Sequence, residues 1–255
     1  MNSFCKLAFL ILATLLASAP AAARKTNTVQ PGEVKSVAIV NEVEPGLNYS
    51  HRAMTIFGNE NRVLDNDWNL PAAVGQSVVD ELTRGGIAAS EVKLSAAEMD
   101  PGLGKKCWSG WSGKYKPKCQ PALDVLLDRL GADALVVIRP IEITDYYFSS
   151  PVLVKGLGVH TMGIGDEIKR SVVVAHIGYG IVSRKGLLTG QVCLSDYIDN
   201  ERKFTATPKT LALSDVAYAE AELRQLVAEN AGRTLRATGI LPGGLEKCPH
   251  TWGKP

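Results

Sequence analysis

The sequence lacks the features that mark several classes of protein. It has no internal repeat, no low-complexity tract and no Ser/Pro-rich linker, which excludes repeat, fibrous and disordered chains. Its 28 basic and 26 acidic residues leave a net charge of only +2, so charge gives no case for nucleic-acid binding. With 45% apolar residues among 255, the composition is typical of a globular protein large enough to bury a core.

Familiar catalytic and metal-binding motifs are also missing. There is no SxxK, HExxH or P-loop sequence, and the segment Trp108 to Gly113 does not form a GxSxG motif. The glycine-rich run from Gly156 to Gly165 does not open a helix, so it predicts loops and bulges in place of a phosphate cradle. We expect no metal, no cofactor and no catalytic residue. The histidines lack ligand spacing and are expected to be surface or packed residues: His51, His160, His176 and His250.

The first 23 residues have the pattern of a secretory signal peptide. Lys6 supplies a short positive region, Leu7 to Ala17 is apolar except for Thr14, and small residues follow. This run covers about half of a hydrocarbon core at about 1.5 Å per residue, so it is too short to span a membrane. We expect cleavage after Ala21 or Ala23, a periplasmic or secreted protein, and no transmembrane segment in the mature chain.

Removal of the signal peptide leaves four cysteines, which are Cys107, Cys119, Cys193 and Cys248. An even number in an exported chain favours two disulfides, and four cysteines allow three pairings. We prefer Cys107–Cys119 with Cys193–Cys248, because the first pair closes a short polar loop. None of the four has CxxC spacing or a histidine three to five residues away, which argues against a zinc site.

Hydrophobic periodicity predicts an α+β fold: two βα units, then antiparallel strands, then a long carboxy-terminal helix, all on one mixed sheet. The mature chain, residues 24–255, is expected to be one domain with a core at about 34–237 and a tail at 238–255. Asn69 is expected to cap the first helix, which Gly85 and Gly86 end. The expected strands are 34–43, 87–94, 134–138, 141–148, 152–162, 171–183 and 187–198, with a hairpin at 48–64. The expected helices begin at about 70, 121 and 214.

One segment differs from the rest of the chain, and we name it the basic disulfide loop (residues 105–119). It contains five lysines, three aromatic residues and no acid. Without the signal peptide the net charge is +1, and without these lysines it would be −4, so positive charge is concentrated here. Two interpretations fit: a contact surface for an anionic partner, or aromatic rings covering an edge of the fold while lysines keep it soluble. The candidate binding residues are Lys105, Lys106, Trp108, Trp111, Lys114, Tyr115, Lys116 and Lys118.

The order of strands and helices, with Gly131-Ala132-Asp133 before the apolar strand Ala134 to Ile138, resembles a group of bacterial envelope domains. These are α/β domains of the CsgG, LpoB and TolB amino-terminal type. The resemblance covers roughly residues 34–237 in element order, and its sequence motif is short. It implies a non-catalytic scaffold for assembly or partner binding in the cell envelope. The sequence has no lipobox cysteine, and we do not associate the basic disulfide loop with that group.

Three functions are therefore considered for the chain. The first is an exported, periplasmic binding or assembly module whose partner is an envelope protein or an anionic lipid or glycan surface, and not nucleic acid. The second is a secreted hydrolase with a site built from loops, for which the candidates are Asp65, Asp67 and His51. The third is a structural subunit of an envelope assembly, for which an oligomer is expected.

Overall fold

The computed structural model describes residues 32–54, 58–109, 114–145, 152–187, 197–200 and 203–243. The expected signal peptide, Trp111, and the expected pair Cys193–Cys248 lie outside these residues. The described residues form β-strands, four α-helices and short 3-10 turns.

The helices are α1 (Leu70–Arg84), α2 (Ala96–Leu103), α3 (Gln120–Leu130) and α4 (Ala219–Ala237). The strands are β1 (Ser36–Asn41), β2 (Leu47–Ala53), β3 (Glu60–Leu64), β4 (Ala88–Glu91), β5 (Trp108–Ser109), β6 (Lys114–Tyr115), β7 (Ala134–Pro140), β8 (Glu142–Asp145), β9 (Val152–Ile164), β10 (Glu167–Ser183), β11 (Gly186–Leu187) and β12 (Tyr197–Asn200).

Seven strands form the main sheet in the order β3-β2-β9-β10-β7-β1-β4. β1 pairs in parallel with β4 and β7, and β2 pairs in parallel with β9. The pairs β2–β3, β9–β10 and β10–β7 are antiparallel, while β8, β11 and β12 pair with β9 or β10. The sheet is mixed, and the expected hairpin at 48–64 is β2–β3.

Helices cover both faces of this sheet. α1 and α4 pack against each other and on one face, over the larger core, whose members include Ile39, Val136 and Ile181. α2, α3 and the basic disulfide loop cover part of the opposite face, over a smaller core that includes Val40 and Val137. The prediction of an α+β fold whose long carboxy-terminal helix packs on a mixed sheet is confirmed.

The most apolar strands follow the sequence pattern closely. The side chains from Val37 to Val40 of β1 are all buried, because β1 lies between two parallel partners with a helix layer on each face. Helix α1 buries Leu70, Val74, Val78 and Leu82 in a stripe of period four, which is the face that packs on the larger core.

Several local expectations need correction. Asn69 does not cap α1 with its side chain; it adopts a left-handed conformation at φ 49°, and its carbonyl accepts a bond from Ala73. The sequence pattern does not predict helix α2, because Pro101 and Gly102 obscure it, but Ser95 and Glu98 form a capping box that starts the helix. The expected strand at 87–94 extends only over β4. Helix α4 begins five residues later than expected, after a 3-10 turn.

The Gly131-Ala132-Asp133 segment has a structural role at the start of β7. Gly131 ends α3 in a left-handed conformation at φ 62°, which favours glycine. The Asp133 carboxylate accepts bonds from the backbone amides of Lys35 at 2.9 Å and Ser36 at 3.0 Å, and from the Ser36 hydroxyl at 3.1 Å. These bonds hold the pKa of Asp133 below its usual value, the amide of Lys35 having the largest effect. Asp133 thereby ties the start of β7 to the start of β1.

Candidate functional site

The basic disulfide loop is closed at its base by a covalent bond. Cys107 and Cys119 form a disulfide with their Cα atoms 5.7 Å apart, and both cysteines are buried. Inside the bridge, β5 and β6 pair in an antiparallel ladder in which Trp108 stands opposite Tyr115. The prediction of this disulfide is confirmed, and the base of the loop has a defined backbone.

Two of the three aromatic residues of the loop pack against the protein. The Tyr115 ring is buried and meets the Trp108 ring edge-on, with centroids 5.2 Å apart. The Tyr115 hydroxyl lies 2.6 Å from the carbonyl oxygen of Gly102 and 3.1 Å from that of Cys119, which share its proton. Burial, followed by the charge of Asp124, raises the pKa of Tyr115 to about 12. The ring therefore holds the base of the loop against the end of α2.

Trp108 connects the loop to the sheet. Its indole Nε1 donates to the carbonyl of Leu103 at 2.9 Å, and the Arg139 guanidinium lies 5.7 Å from its ring centroid. Arg139 also donates two bonds to the Glu42 carboxylate, at 2.6 and 3.1 Å, and one to Leu103 at 3.2 Å. A planar guanidinium can satisfy all these contacts at once because its donors point in fixed directions.

The lysines of the loop have different surroundings. Lys118 and Lys106 are exposed and Lys116 is half-buried. The Lys106 ammonium lies 2.8 Å from the carboxylate of Asp100, in a surface ion pair. The side chains of Lys105 and Lys114 lie outside the described part of the loop, as does Trp111. The structure thus exposes Lys106 and Lys118 beside a base that holds a packed aromatic pair, while the binding role of the whole set stays a prediction.

The three candidate hydrolase residues do not form one site. His51 is buried on β2, opposite Glu60 of β3. Leu64, the residue before Asp65, lies four rungs along the ladder from Glu60, which is about 13 Å at about 3.3 Å per residue, so Asp65 lies beyond reach of His51. Asp65 and Asp67 are both exposed. The turn that contains them is shaped by Asn66, whose side chain accepts the amide of Trp68 at 3.2 Å.

A second group of polar residues, which sequence reasoning missed, joins β2 to β9. The Ser50 hydroxyl and the Nδ1 atom of His160 are hydrogen-bonded on one face of the sheet. On the other face, the Thr161 hydroxyl lies 2.9 Å from Nδ1 of His51 and 3.1 Å from the hydroxyl of Tyr49. The adjacent polar residues His160 and Thr161 in the otherwise apolar run 156–164 could have indicated one polar side chain on each face of the sheet. This pattern could not indicate their partners, which are more than a hundred residues away in sequence.

The described residues contain neither a candidate metal cluster nor a helix that could cross a membrane. Their His, Cys, Asp and Glu side chains form no group of three or more that could hold a metal ion. None of the helices in this part of the chain combines the length and hydropathy required to cross a membrane. No protein-family model matches the chain, and no curated protein matches it; the resemblance to envelope α/β domains stays a prediction.

Proposed function

We propose that the protein is an exported, periplasmic and non-catalytic binding module whose basic disulfide loop contacts an anionic surface of the cell envelope. The observation that carries this proposal is that the base of the loop is fixed to the protein while two of its lysines are exposed. Cys107, Cys119, Trp108 and Tyr115 fix its base against α2 and β10, while Lys106 and Lys118 are exposed.

A fixed base favours binding because less conformational entropy is lost when the lysines meet a partner. The ion pair between Lys106 and Asp100 is exposed on both sides, at 58% and 64% of the side-chain surface. Such a pair contributes at most about 1 kcal/mol to stability. Lys106 can therefore leave Asp100 and bind a surface that carries more negative charge. Lys106 and Lys118 are both exposed, so an anionic surface can reach their ammonium groups.

Charge also favours an anionic partner. The rest of the mature chain carries a net charge of −4, so an anionic surface attracts the loop while the body of the protein is repelled, which orients the molecule. A lysine held near an anionic membrane contributes about 1 kcal/mol. The assembly role follows from the resemblance to envelope scaffolds and belongs to the same proposal.

The experiment compares binding of the mature protein to phosphatidylglycerol-containing vesicles, to neutral phosphatidylcholine vesicles and to immobilised heparin. We expect binding to at least one anionic probe and none to the neutral vesicles. Which anionic probe is preferred distinguishes a lipid surface from a glycan. Replacement of Lys106, Lys116 and Lys118 by Ser should weaken binding to the preferred probe by about 100-fold, at about 1 kcal/mol for each lysine.

A matched control replaces exposed lysines outside the loop, with the same change in net charge: Lys93, Lys203 and Lys209. This control should weaken binding by less than a few fold, because none of the lysines that it removes belongs to the loop. Binding of wild type to neither anionic probe, or equal losses in the two triple variants, would show that the loop is not the contact surface.

A further inference from the structure

Two consecutive rungs of the parallel β2–β9 ladder carry histidine bridges on opposite faces of the sheet. Ser50 stands opposite His160, and His51 stands opposite Thr161. In the first rung the histidine belongs to β9 and bonds to a hydroxyl of β2; in the second it belongs to β2 and bonds to a hydroxyl of β9. Each strand therefore contributes one histidine and one hydroxyl group to the seam.

Both histidines are deeply buried, with 0% of His51 and 2% of His160 exposed. The Nε2 atom of each is buried and has no hydrogen-bond partner among the residues that the structure describes. A neutral imidazole tolerates this position better than an imidazolium, which would add a second N–H donor and a charge at a buried position.

Two basic residues near His160 increase the cost of a positive charge on its ring. Arg52 of β2 and His176 of β10 both act on it electrostatically. By register, Arg170 stands opposite Met162 on β9, and Asp199 of β12 stands opposite Val172. His51 faces Glu60 across the β2–β3 ladder, which favours its charged form and partly offsets its burial.

We propose that these two bridges, Ser50–His160 and His51–Thr161, form an acid-sensitive latch. While both imidazoles are neutral the latch holds β2 on β9, and when they are protonated β2 separates from β9. Parting the seam uncovers the β9 edge from Gly158 to Gly163, whose backbone groups pair with β2 in the closed state. An uncovered edge of this kind is a template for pairing with another strand.

The direction of the pH effect follows from burial. Desolvation, followed by His176 and Arg52, lowers the pKa of His160 to about 3, and desolvation also lowers the pKa of His51. In the open seam both imidazoles return to an ordinary pKa of about 6.5. The full free-energy preference for the closed state is therefore present above about pH 6.5. This preference decreases as pH falls towards 3, because the open state then binds more protons than the closed state.

The topology allows this opening to be local. β2 and β3 lie at one end of the main sheet, and β1 and β4 lie at the other. The Arg62 guanidinium of β3 donates to the backbone carbonyls of Pro208, Lys209 and Leu211. These bonds tie β3 to the segment 208–211, so β3 stays attached when β2 leaves β9.

Hydrogen exchange of the wild-type mature protein tests the latch. His160 alone should raise the opening constant of the β2 amides by about 30-fold between about pH 7.5 and about pH 5.0, after correction for the intrinsic exchange rates. At the lower pH the β2 amides should exchange faster than those of β7, with a weak dependence on denaturant. Equal protection and equal denaturant slopes in β2 and β7 at that pH, or no effect of pH on β2, would overturn the proposal.

Two variants separate titration from simple loss of a contact. His160→Gln keeps a polar, neutral group at this position. The ratio of the β2 opening constants at the two pH values should therefore fall to the value that protonation of His51 alone produces. Ser50→Ala removes the bridge but keeps the titrating group, so β2 should open more at both pH values with the ratio retained. An unchanged ratio in His160→Gln would overturn the role of His160. If that variant does not fold, the wild-type comparison of β2 with β7 still decides.

Discussion

The indole ring of Trp108 lies against Gly180 of β10, where a Cβ atom on the glycine would stand 3.0 Å from Cη2 of the ring. A Cβ atom there would require the ring to shift by a few tenths of an ångström, so the glycine makes space for the base of the loop on the sheet. Arg139, from the neighbouring strand β7, holds the same ring. The basic disulfide loop is thus docked on the sheet through one aromatic side chain.

Replacement of Gly180 by Val should displace the Trp108 ring and lower the free energy of unfolding by about 1–3 kcal/mol, the usual cost of overpacking. Denaturant unfolding and tryptophan fluorescence measure the two effects. Trp108→Phe in the same chain removes the ring atoms nearest position 180, so the double variant should lose less than the sum of the single variants. Strict additivity would contradict the contact.

Replacement of Cys107 and Cys119 by Ala should lower the free energy of unfolding by about 3 kcal/mol, because the bridge joins cysteines twelve positions apart and restricts the unfolded chain. Denaturant unfolding measures this loss. Alkylation of the unfolded wild-type protein under non-reducing conditions should modify neither residue. Modification of both would show that the bridge does not form.

Replacement of Tyr115 by Phe should lower the free energy of unfolding by about 1 kcal/mol, since the carbonyls of Gly102 and Cys119 lose their donor. The wild type should also lose stability as pH rises from about 10, the ordinary pKa of tyrosine, through the raised value of about 12. The folded state keeps the proton that the unfolded state releases in this range. The denaturant midpoint of unfolding should fall less steeply with pH in Tyr115→Phe than in the wild type. Parallel plots of midpoint against pH for the two proteins would show that Tyr115 does not cause the loss.

Replacement of Asp133 by Asn should destabilise the protein by about 1–3 kcal/mol, because the carboxylate accepts two backbone amides and a hydroxyl. Its lowered pKa supplies stability above the unfolded value of about 3.9, and this stability is lost as pH falls through the folded value. Thermal unfolding at neutral and acid pH measures both effects. The exposed Asp65→Asn is the control and should change little; an equal loss there would contradict the clamp.

The sequence predicts those parts of the fold that are determined locally. The run Ala134 to Ile138 and the stripe from Leu70 to Leu82 follow from strand and helix periods. Helix α2 is obscured by Pro101 and Gly102, and the long β9–β10 hairpin cannot be ordered in the sheet from sequence alone. Pairing between distant strands depends on packing across the whole sheet, which no local pattern records.

The candidate site is predictable to a similar degree. The Cys107–Cys119 bridge and the concentration of lysines are evident from composition and spacing, since both are local. The burial of Tyr115 and the docking of Trp108 on Gly180 are not, because they depend on α2 and on a strand seventy-two residues later in the chain. For the same reason the pairing of Ser50 with His160 could be recognised only from the fold.

The most direct test of the proposed function is the ratio of two dissociation constants for phosphatidylglycerol-containing vesicles, or for heparin if that probe binds more tightly. The constants are those of the loop variant and of the control variant with the same net charge. We expect the loop variant, without Lys106, Lys116 and Lys118, to bind at least tenfold more weakly than the control, which lacks Lys93, Lys203 and Lys209, because about 1 kcal/mol is lost with each loop lysine. A ratio near one would contradict the loop as the contact surface.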